Sequence, residues 1–536
     1  MSPRHHDVVV VGAGLAGLTA AAYLSRAGHS VLLVEKTGHC GGLLNSIERN
    51  GFLFDTGARS IENAGVIRPM LKDLGIELEL VKSPVSIGIE GTILDMASRD
   101  GIGAYRKLFE RLYPGHEKEI ARIFLAVDKV MRDMDVIYGF DNPVFRDFKN
   151  DKNYLFTELL PWMAKFVPAA FRMNRMSEPI ESYLAGLSSF RPLNDLVAQH
   201  FFKQTPMFFA LGYFYVYLDY LYPRGGTGRL AAKLAEKIRE AGGEILLDTE
   251  VTSVVPAARR LAGSHGLDCR YETLVWCADL KSLYRRADAT GLDAATVRAI
   301  AARRQQVMGS RGGDSVFSLY LGVDQPPETF AAKTHGHLFY TPSRAGLAET
   351  HRSELAALLA SPQGDNREAI LAWVGKYCRL TTYEVSIPSL RDPTLSPQGQ
   401  TGLIVSFLFE YDLVRKVIAA GWYEAFKTQV EDAMIEALDT SLFPGIKDAI
   451  VLRFSSSPST IETLFASSEG GITGWTFERP SPAVHALQKI PKAVETPFPG
   501  ILQAGQWTYS PAGIPTAILT GWYAQDAVRR VSGLDT

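Results

Sequence analysis

Three segments at the start of the chain have the hydrophobic pattern of a strand, a helix and a second strand. Residues 8–11 are a continuous apolar run, which is typical of a parallel strand that is buried on both faces. Residues 15–27 space their apolar side chains as a helix does, with alanines on the packing face, and residues 30–34 predict the next strand. The pattern therefore predicts one βαβ unit.

After this unit the hydrophobic pattern becomes mainly that of helices, and later segments again have the pattern of strands that join the first domain. Residues from about 68 to 172 are predicted to be largely helical, with amphipathic spacing in 105–113 and 117–134. A helix through Ala241 is followed by apolar runs typical of strands. Strands that rejoin the first domain are predicted at 244–247, 251–255 and 273–277, strands of a second sheet at 315–323, 370–374 and 402–407, and the last strand and helix around 500–504 and 516–530.

Composition narrows the class of protein. The chain has 536 residues, of which 46% are hydrophobic and 21% charged, with a formal net charge of −2, so we expect a globular protein with large cores and no nucleic-acid partner. The cysteines Cys40, Cys269, Cys277 and Cys378 have no paired or metal-site spacing. We therefore expect no disulfide framework and no metal site, and a reducing, cytoplasmic location.

Apolar runs of membrane-spanning length are not found in the sequence. The nearest is the aromatic segment 205–222, but it contains Pro206, Gly212 and Asp219. The run that begins at Val8 is too short and is broken by glycine, so it does not predict a signal anchor. We expect no spanning helix and no export by that route.

A glycine-rich turn lies between the first predicted strand and helix. It is Gly12-Ala13-Gly14-Leu15-Ala16-Gly17, and its spacing permits a tight turn, close approach of the backbone to a pyrophosphate and close helix–strand packing. Glu35 ends the second strand, where a carboxylate accepts hydrogen bonds from ribose hydroxyls. The turn and Glu35 predict an ADP-ribose site, and the next residue, Lys36, is assigned to the same cofactor. FAD and NAD share the ADP half of the molecule, so this site does not distinguish them.

A second group of motifs favours FAD. Cys40-Gly41-Gly42-Leu43 and Thr56-Gly57-Ala58-Arg59, which follows a strand-like segment ending at Asp55, resemble the second glycine pair and the D-x-G segment of the FAD-dependent amine oxidase and phytoene desaturase superfamily. In that superfamily the glycines pass beside the cofactor. The resemblance therefore implies that Gly41, Gly42, Leu43, Gly57, Ala58 and Arg59 contact FAD.

The far end of the chain carries a further resemblance to this superfamily. Gly505-Gln506-Trp507 follows the last predicted strand, and Gly513-Ile514-Pro515 opens the last helix. The resemblance implies that these segments meet the ribityl chain and the flavin ring, and Val251, in an earlier predicted strand, is also assigned to the cofactor. A helix N-terminus directed at the ring would stabilise the anionic reduced form. Gln506 stands where the family often has Asp, so it hydrogen-bonds without adding charge.

One subgroup of the superfamily matches further motifs. Tyr222-Pro223-Arg224-Gly225-Gly226, with Gly228, and Gly242-Gly243 resemble the carotenoid desaturase, carotene isomerase and retinol saturase group. The resemblance implies an oxidoreductase that desaturates, saturates or isomerises a polyisoprenoid or polyene lipid by hydride transfer at flavin N5. The electron partner is left open between quinone, dioxygen, a reductase and NAD(P)H.

The candidate substrate groups are aromatic. We expect a minority of one aromatic block to line a long apolar pocket or a membrane-dipping entrance, and the remainder to be helical core. Arg59 is the candidate catalytic group, because it could steady negative charge on the reduced ring or on a substrate oxygen, with a surface ion pair as the alternative. We expect His200, His335 and His337 to be structural. The block comprises Phe201, Phe202, Phe208, Phe209, Tyr213, Phe214, Tyr215, Tyr217 and Tyr220.

Two alternative functions share these motifs. An amine oxidase would oxidise a C–N bond beside paired aromatic rings, for which Trp507 and Tyr509 are near but not clearly matched. A prenyl-lipid carrier of the same fold, like the GDP-dissociation inhibitors, would not use FAD. Glu35, Gly41-Gly42 and the C-terminal flavin segment argue against the carrier.

The predicted fold class is α/β, with a Rossmann-type FAD-binding domain and a discontinuous second substrate domain made of a mixed sheet and a helical layer. We assign the FAD-binding domain to residues 1–67, 223–290 and 496–536. Residues 68–222 form the helical and aromatic region that faces substrate or a membrane surface, and residues 291–495 the sheet and helices of the substrate domain.

Overall fold

A computed structural model describes residues 4–146, 151–347, 350–361 and 366–531, so the ends of the predicted segments 1–67 and 496–536 lie outside it. The strands are β1 (Arg4–Val11), β2 (Val31–Val34), β3 (Ser46–Arg49), β4 (Phe52–Asp55), β5 (Ile61–Glu62), β6 (Leu80–Lys82), β7 (Val85–Ile89), β8 (Thr92–Asp95), β9 (Tyr220–Pro223), β10 (Glu244–Leu246), β11 (Val251–Val255), β12 (Arg260–Gly263), β13 (Asp268–Trp276), β14 (Ser315–Val323), β15 (His337–Thr341), β16 (Tyr383–Ser386), β17 (Thr401–Phe409), β18 (Ile450–Ser456) and β19 (Ile501–Gln503).

The α-helices lie between these strands or after the last of them along the chain, and α3 to α9 follow one another without a strand between them. They are α1 (Leu15–Arg26), α2 (Ile67–Leu74), α3 (Arg99–Leu112), α4 (Glu117–Tyr138), α5 (Lys152–Tyr154), α6 (Leu160–Arg175), α7 (Ile180–Leu187), α8 (Arg191–Ala198), α9 (Met207–Asp219), α10 (Gly228–Glu240), α11 (Leu280–Arg286), α12 (Ala294–Gly309), α13 (Pro327–Ala331), α14 (Leu355–Ala360), α15 (Arg367–Leu380), α16 (Tyr411–Ala419), α17 (Tyr423–Ser441), α18 (Pro458–Phe465), α19 (Ile490–Ala493) and α20 (Ile514–Val531).

The first sheet is the nucleotide-binding type that the sequence predicts. Its order is β10-β2-β1-β13-β12-β11, with β19 also pairing with β13, and β10, β2, β1, β13 and β19 run parallel. Helices α1, α10 and α20 pack on it around buried Leu18, Leu234 and Ile518. Strands from the beginning, middle and end of the chain thus complete one sheet.

The second sheet supplies the opposite layer. Its order is β18-β14-β17-β16-β15-β7-β8, and it is antiparallel except for the pair β15 and β7. One face packs on α15, α16 and α17 through residues such as Trp373, Val414 and Phe426. Helices α3, α4, α7, α8 and α9 form a third layer with its own core, which includes Tyr105 and Phe214.

Most predicted elements are confirmed, and one is wrong. The strand predicted at 370–374 is part of helix α15, in which Ile370, Trp373, Val374 and Tyr377 are buried. Their spacing of three and four residues is that of a helix, but a window of five residues is too short to show it. The strands β7 and β8 lie within the region that was predicted to be largely helical.

The described residues contain neither a membrane-spanning helix nor a cluster of metal ligands. None of the helices that the structure describes has the length and apolar character needed to cross a bilayer. Among the same residues, no three His, Cys, Asp or Glu side chains are grouped as metal ligands. The boundaries of the five predicted segments stay a prediction.

Candidate active site

A cavity of about 420 Å³ lies where the two sheets face each other. At one end it is lined by the loops that follow β1, β2 and β13, which are parallel strands of the first sheet. At the other end it is lined by residues of β14, β15, β16 and β17 in the second sheet and by aromatic residues near α9. Loops at the carboxyl ends of parallel strands are the usual location of ligand sites in such sheets.

Seventeen of the twenty predicted cofactor residues line this cavity. Ala13, Gly17 and Pro515 do not, although each is adjacent in the chain to a residue that does. The structure therefore brings together motifs that are up to 500 residues apart. The lining residues among the predicted set are Gly12, Gly14, Leu15, Ala16, Glu35, Lys36, Gly41, Gly42, Leu43, Gly57, Ala58, Arg59, Val251, Gly505, Gln506, Gly513 and Ile514.

The first glycine turn has the geometry of a phosphate-binding turn. A Cβ on Gly17 would lie 2.0 Å from the carbonyl oxygen of Gly12, so α1 packs against the turn more closely than any side chain allows. A Cβ on Gly14 would meet no atom within 4 Å, and Gly14 lines the cavity at the start of α1. Open space at a helix N-terminus is what a phosphate requires.

Glu35 is held in place beside this turn. One carboxylate oxygen accepts a hydrogen bond from the Ala13 N–H at 2.8 Å, and the other accepts bonds from the N–H and hydroxyl of Thr37, each at 2.9 Å. Because the carboxylate lines the cavity, it still presents lone pairs to a ribose.

The second glycine pair is attached to the first turn. The Gly41 N–H donates to the Ala13 carbonyl at 2.8 Å, and Gly14 and Gly41 form an isolated parallel bridge. A Cβ on Gly57 would lie 1.6 Å from the carbonyl oxygen of Leu43. The Gly57 segment therefore contacts the second glycine pair so closely that a side chain at Gly57 would not fit. We call this end of the cavity, made by Gly12, Gly14, Glu35, Gly41 and Gly42, the glycine end.

The C-terminal segments close the cavity from the side. The Gly505 N–H donates to the Thr520 hydroxyl at 2.9 Å, and the Gln506 amide approaches the Ser467 hydroxyl at 3.5 Å. Trp507 lines the cavity and packs edge-on against Trp475 with ring centroids 4.7 Å apart. Tyr509 is buried outside the lining, so the two rings considered for an amine oxidase do not face the cavity together.

Glu62 lies beside the start of α20. It lines the cavity and accepts a hydrogen bond from the Ile514 N–H. Burial raises its pKa from the ordinary 4.5 to about 7, the charge of Asp219 adds to this rise, and backbone hydrogen bonds oppose it. The sequence analysis missed Glu62, which has no motif of its own. A carboxyl group with a raised pKa in a cavity is a candidate for proton transfer.

Four residues of the aromatic block line the cavity. Phe202, Phe209, Tyr213 and Tyr220 face it, and we call them the aromatic wall. The other five belong to the core of the helical layer or pack against it. The expectation that a minority of the block meets a ligand is therefore consistent with the cavity. The other five are Phe201, Phe208, Phe214, Tyr215 and Tyr217.

Arg59 lies beneath the cavity on the second sheet. Its side chain is 3% exposed, so the surface ion pair considered as an alternative is wrong. It donates to the hydroxyls of Ser318 at 3.2 Å and Ser406 at 2.8 Å, and to the Asp55 carbonyl. Its Nε is buried without a hydrogen-bond partner.

A polar row crosses the sheet next to Arg59. Ser318, Ser406 and Glu384 are directly opposite one another on β14, β17 and β16, so they share one face of the sheet. Glu384 accepts a hydrogen bond from His337 Nε2 at 2.9 Å, and His337 Nδ1 lies 3.0 Å from the Ser60 hydroxyl. We call Arg59, His337, Glu384 and Ser406, all of which line the cavity, the polar floor.

His337 and Glu384 differ in charge. Burial lowers the pKa of His337 below its ordinary value. Burial alone would raise the pKa of Glu384, but the hydrogen bond from His337 and the positive charges of Arg59 and Arg391 lower it. At neutral pH the pair is a neutral imidazole and a carboxylate. His337 is therefore part of the cavity, whereas the sequence analysis treated it as structural because no partner is near it in the sequence.

His200 and His335 do not join this cluster. Burial lowers the pKa of His200 to about 4. Nε2 of His335 lies 3.1 Å from a carboxylate oxygen of Asp95. The cavity is also lined by residues without a predicted role in 277–286 and 461–473, among them Asp279 and Arg286. Arg286 forms an ion pair with Glu250. Their position at the end of β13, a parallel strand beside β1, was the signal that could have found 277–279.

Comparison with known proteins agrees with this geometry. The family model described as flavin containing amine oxidoreductase matches residues 15–374. All-trans-retinol 13,14-reductase of Danio rerio is 22% identical over 94% of this chain and 83% of its own length. The 4,4'-diapophytoene desaturase (4,4'-diaponeurosporene-forming) of Staphylococcus aureus is 22% identical over 95% of this chain and 96% of its own length. Prolycopene isomerase 2 of an Oncidium hybrid is 23% identical over 87% of this chain and 75% of its own length.

Solved structures show the same fold. An oxidoreductase from Methanosarcina mazei superimposes with a TM-score of 0.60 and 16% identity, over 97% of this chain and 99% of that chain. Cyclohexylamine oxidase from Brevibacterium oxydans superimposes with a TM-score of 0.58 and 15% identity, over 98% of this chain and 99% of that chain. The predicted α/β fold class is confirmed.

Proposed function

The chain belongs to the flavin containing amine oxidoreductase family, and we propose that this FAD-dependent oxidoreductase acts on a long hydrophobic polyisoprenoid or polyene lipid. One observation supports the substrate class above all. The aromatic wall faces the same cavity as the glycine end, so an apolar chain bound along Phe202 and Phe209 would lie next to the cofactor.

The residues present fit FAD. The open space at Gly14 suits a pyrophosphate, and the Glu35 carboxylate suits a ribose. We assign the remaining contacts to the residues around Gly41, Gly57, Gly505 and Ile514, as the sequence resemblance implies. Flavin supplies hydride acceptance or return at N5, at an unactivated C–C or C=C position of the lipid.

The residues of the chain orient the lipid and control its surroundings. The aromatic wall excludes water from the reacting carbons. Arg59 is the assigned catalytic group, because its buried guanidinium places positive charge beside the cavity, where it stabilises negative charge. Glu62 is a second candidate, since its pKa of about 7 allows it to hold or release a proton near neutral pH.

The relatives show that related chains carry out different reactions on such lipids. One is named as a reductase of retinol, one as a desaturase of diapophytoene and one as an isomerase of prolycopene. We extend to this chain the shared class, a polyene or isoprenoid, and leave desaturation, saturation and isomerisation as outcomes of the test. The electron partner is left open between quinone, dioxygen, a reductase and NAD(P)H.

A helix surface supports contact with a membrane. Phe156, Leu160, Met163, Val167 and Phe171 are spaced by three or four residues, and each is 38% to 64% exposed. Lys165 and Arg175 are exposed on the same segment. An apolar face with basic neighbours is typical of a helix that lies in the interface of an anionic bilayer. We propose that this face brings the cavity to its lipid.

The test is an absorbance spectrum of the purified protein before and after anaerobic dithionite, with polyisoprenoid and polyene lipids then added to both forms. Reoxidation of reduced flavin by a lipid indicates saturation, and bleaching of oxidised flavin indicates desaturation. An altered lipid with unchanged flavin indicates isomerisation. If the protein is yellow but no lipid changes the flavin or is itself changed, and an amine bleaches it, the lipid proposal is wrong.

A further inference from the structure

The polar floor is unlike the wall of a hydrocarbon tunnel. It combines a buried guanidinium, a carboxylate, an imidazole and a serine hydroxyl in one part of the cavity. Tyr220 extends it, because its ring stacks on His337 with centroids 5.3 Å apart. A site for a hydrocarbon needs none of these groups, and each of them is costly to dehydrate.

Two groups of the polar floor have hydrogen-bonding capacity left over. Glu384 accepts from His337 through one oxygen, and the side chain stays 35% exposed, although β16 is an inner strand between β15 and β17. That exposed surface therefore belongs to the cavity that Glu384 lines. Ser406 lines the cavity, and its hydroxyl hydrogen is left for a ligand, because its oxygen accepts from Arg59 at 2.8 Å and can also accept from Ser318. One group accepts a hydrogen bond and the other donates one.

We propose that the polar floor binds the hydroxyl group of an isoprenoid alcohol, an inference that rests on the proposed function. A hydroxyl donates to Glu384 and accepts from Ser406, which is directly opposite Glu384 in the sheet, so it satisfies both unused groups. A carboxylate would face the carboxylate of Glu384, and an ammonium group would face Arg59. A hydrocarbon end would cover Glu384 and return no hydrogen bond.

The expected discrimination is large. Sites that hydrogen-bond a substrate hydroxyl reject the analogue that lacks it, because their buried polar groups are left unpaired. We expect geranylgeraniol to bind about 100-fold more tightly than the C20 hydrocarbon in which hydrogen replaces the hydroxyl, a conservative figure for such a site.

The experiment measures dissociation constants with the FAD-loaded protein, from the perturbation of the oxidised flavin spectrum and the quenching of tryptophan fluorescence. The probes are geranylgeraniol, the matching hydrocarbon and geranylgeranoic acid. Glu384→Leu should bring alcohol and hydrocarbon to within about 3-fold, because the carboxylate no longer requires a partner. Glu48→Leu, a change of an exposed glutamate on β3, should leave the discrimination unchanged.

The outcomes separate the two proposals. Equal binding of alcohol and hydrocarbon by the wild-type protein would overturn the hydroxyl site and leave the lipid function standing. Tighter binding of the acid would overturn it in favour of an anion site. If Glu384→Leu loses flavin and keeps its discrimination, the polar floor serves the cofactor instead. If no probe binds, the lipid function fails as well. The wild-type comparison does not depend on whether the variant folds.

Discussion

The glycine end and the polar floor lie in one cavity but are built in different ways. At the glycine end the backbone approaches so closely that Gly17 and Gly57 leave no room for a Cβ. At the polar floor, side chains from β15, β16 and β17 converge with Arg59 on one sheet face. The first end depends on local chain geometry, whereas the second depends on strands that are more than 250 residues from Arg59.

This difference separates what each end can contribute. Under the proposed function, we expect the glycine end to determine cofactor retention, because its backbone groups and one carboxylate suit a part that is common to many cofactors. We expect the aromatic wall and the polar floor to determine substrate choice. Changes at one end should then leave the property of the other end intact, and three substitutions test that separation, while a fourth tests Glu62 between them.

Gly14→Val should have the largest effect. Its side chain would fill the space that suits a pyrophosphate, and overpacking of this kind costs up to about 3 kcal/mol, or roughly 100-fold in FAD affinity. The measurement is the ratio of flavin to protein absorbance after gel filtration. Gly103→Val is the matched control, since Gly103 also has no atom within 4 Å of its Cβ position but lies on α3. Full flavin content in Gly14→Val would place the pyrophosphate elsewhere.

Glu35→Ala should weaken FAD binding by about 10-fold, because a hydrogen bond to a charged group contributes about 1.5 kcal/mol or more. Titration of apoprotein with FAD, followed by flavin fluorescence, measures the loss. Glu35→Gln keeps one acceptor oxygen and should lie between the variant and the wild type. Dissociation constants equal to that of the wild type in both variants would contradict the ribose assignment.

Phe209→Ala should weaken binding of a polyisoprenoid about 5-fold and leave flavin content unchanged, because roughly 1 kcal/mol of apolar contact is lost. Phe208→Ala provides the control. Phe208 is also half-buried but packs against the core of the helical layer outside the cavity lining. Equal effects of the two substitutions on lipid binding would show that the aromatic wall is not part of the site.

Glu62→Gln should have the smallest effect, an increase in Tm whose size depends on pH. The raised pKa means that the folded protein keeps this proton up to about pH 7, whereas the unfolded chain releases it near 4.5, so the wild type loses stability as pH rises between these values. Glutamine mimics the protonated form. The variant should therefore have a higher Tm than the wild type at pH 8 and nearly the same Tm at pH 5, measured by thermal unfolding of the apoprotein. A pH-independent difference would contradict the assigned pKa.

The same difference explains how far the sequence could predict the molecule. The first glycine turn and Glu35 were indicated by their spacing after a strand, and the other glycine motifs and the C-terminal segment by their resemblance to a superfamily. Of the 20 residues predicted in this way, 17 line one cavity. His337 and Glu384 are 47 residues apart and become partners only because β15 pairs with β16. Nothing in their local sequence records that pairing.

Other misses have local causes. The helix at Ile370 was mistaken for a strand because its apolar residues are contiguous over a short window, and the helical period shows only over the whole of α15. The apolar face within residues 156–171 carries no motif, and only the exposure of its side chains in the described part of the chain distinguishes it from a core helix.

The pairing of β19 with β13 and the packing of α20 on α1 have a consequence for biosynthesis. The cavity wall includes both Gly12 and Ala517, so a ribosome must add about 500 residues after the first glycine turn before the site is whole. At typical rates of about 5–20 residues per second, that interval is roughly 25 to 100 s. Throughout this interval the C-terminal residues of the cavity wall have not been synthesised, so we expect the complete site to form only near the end of synthesis.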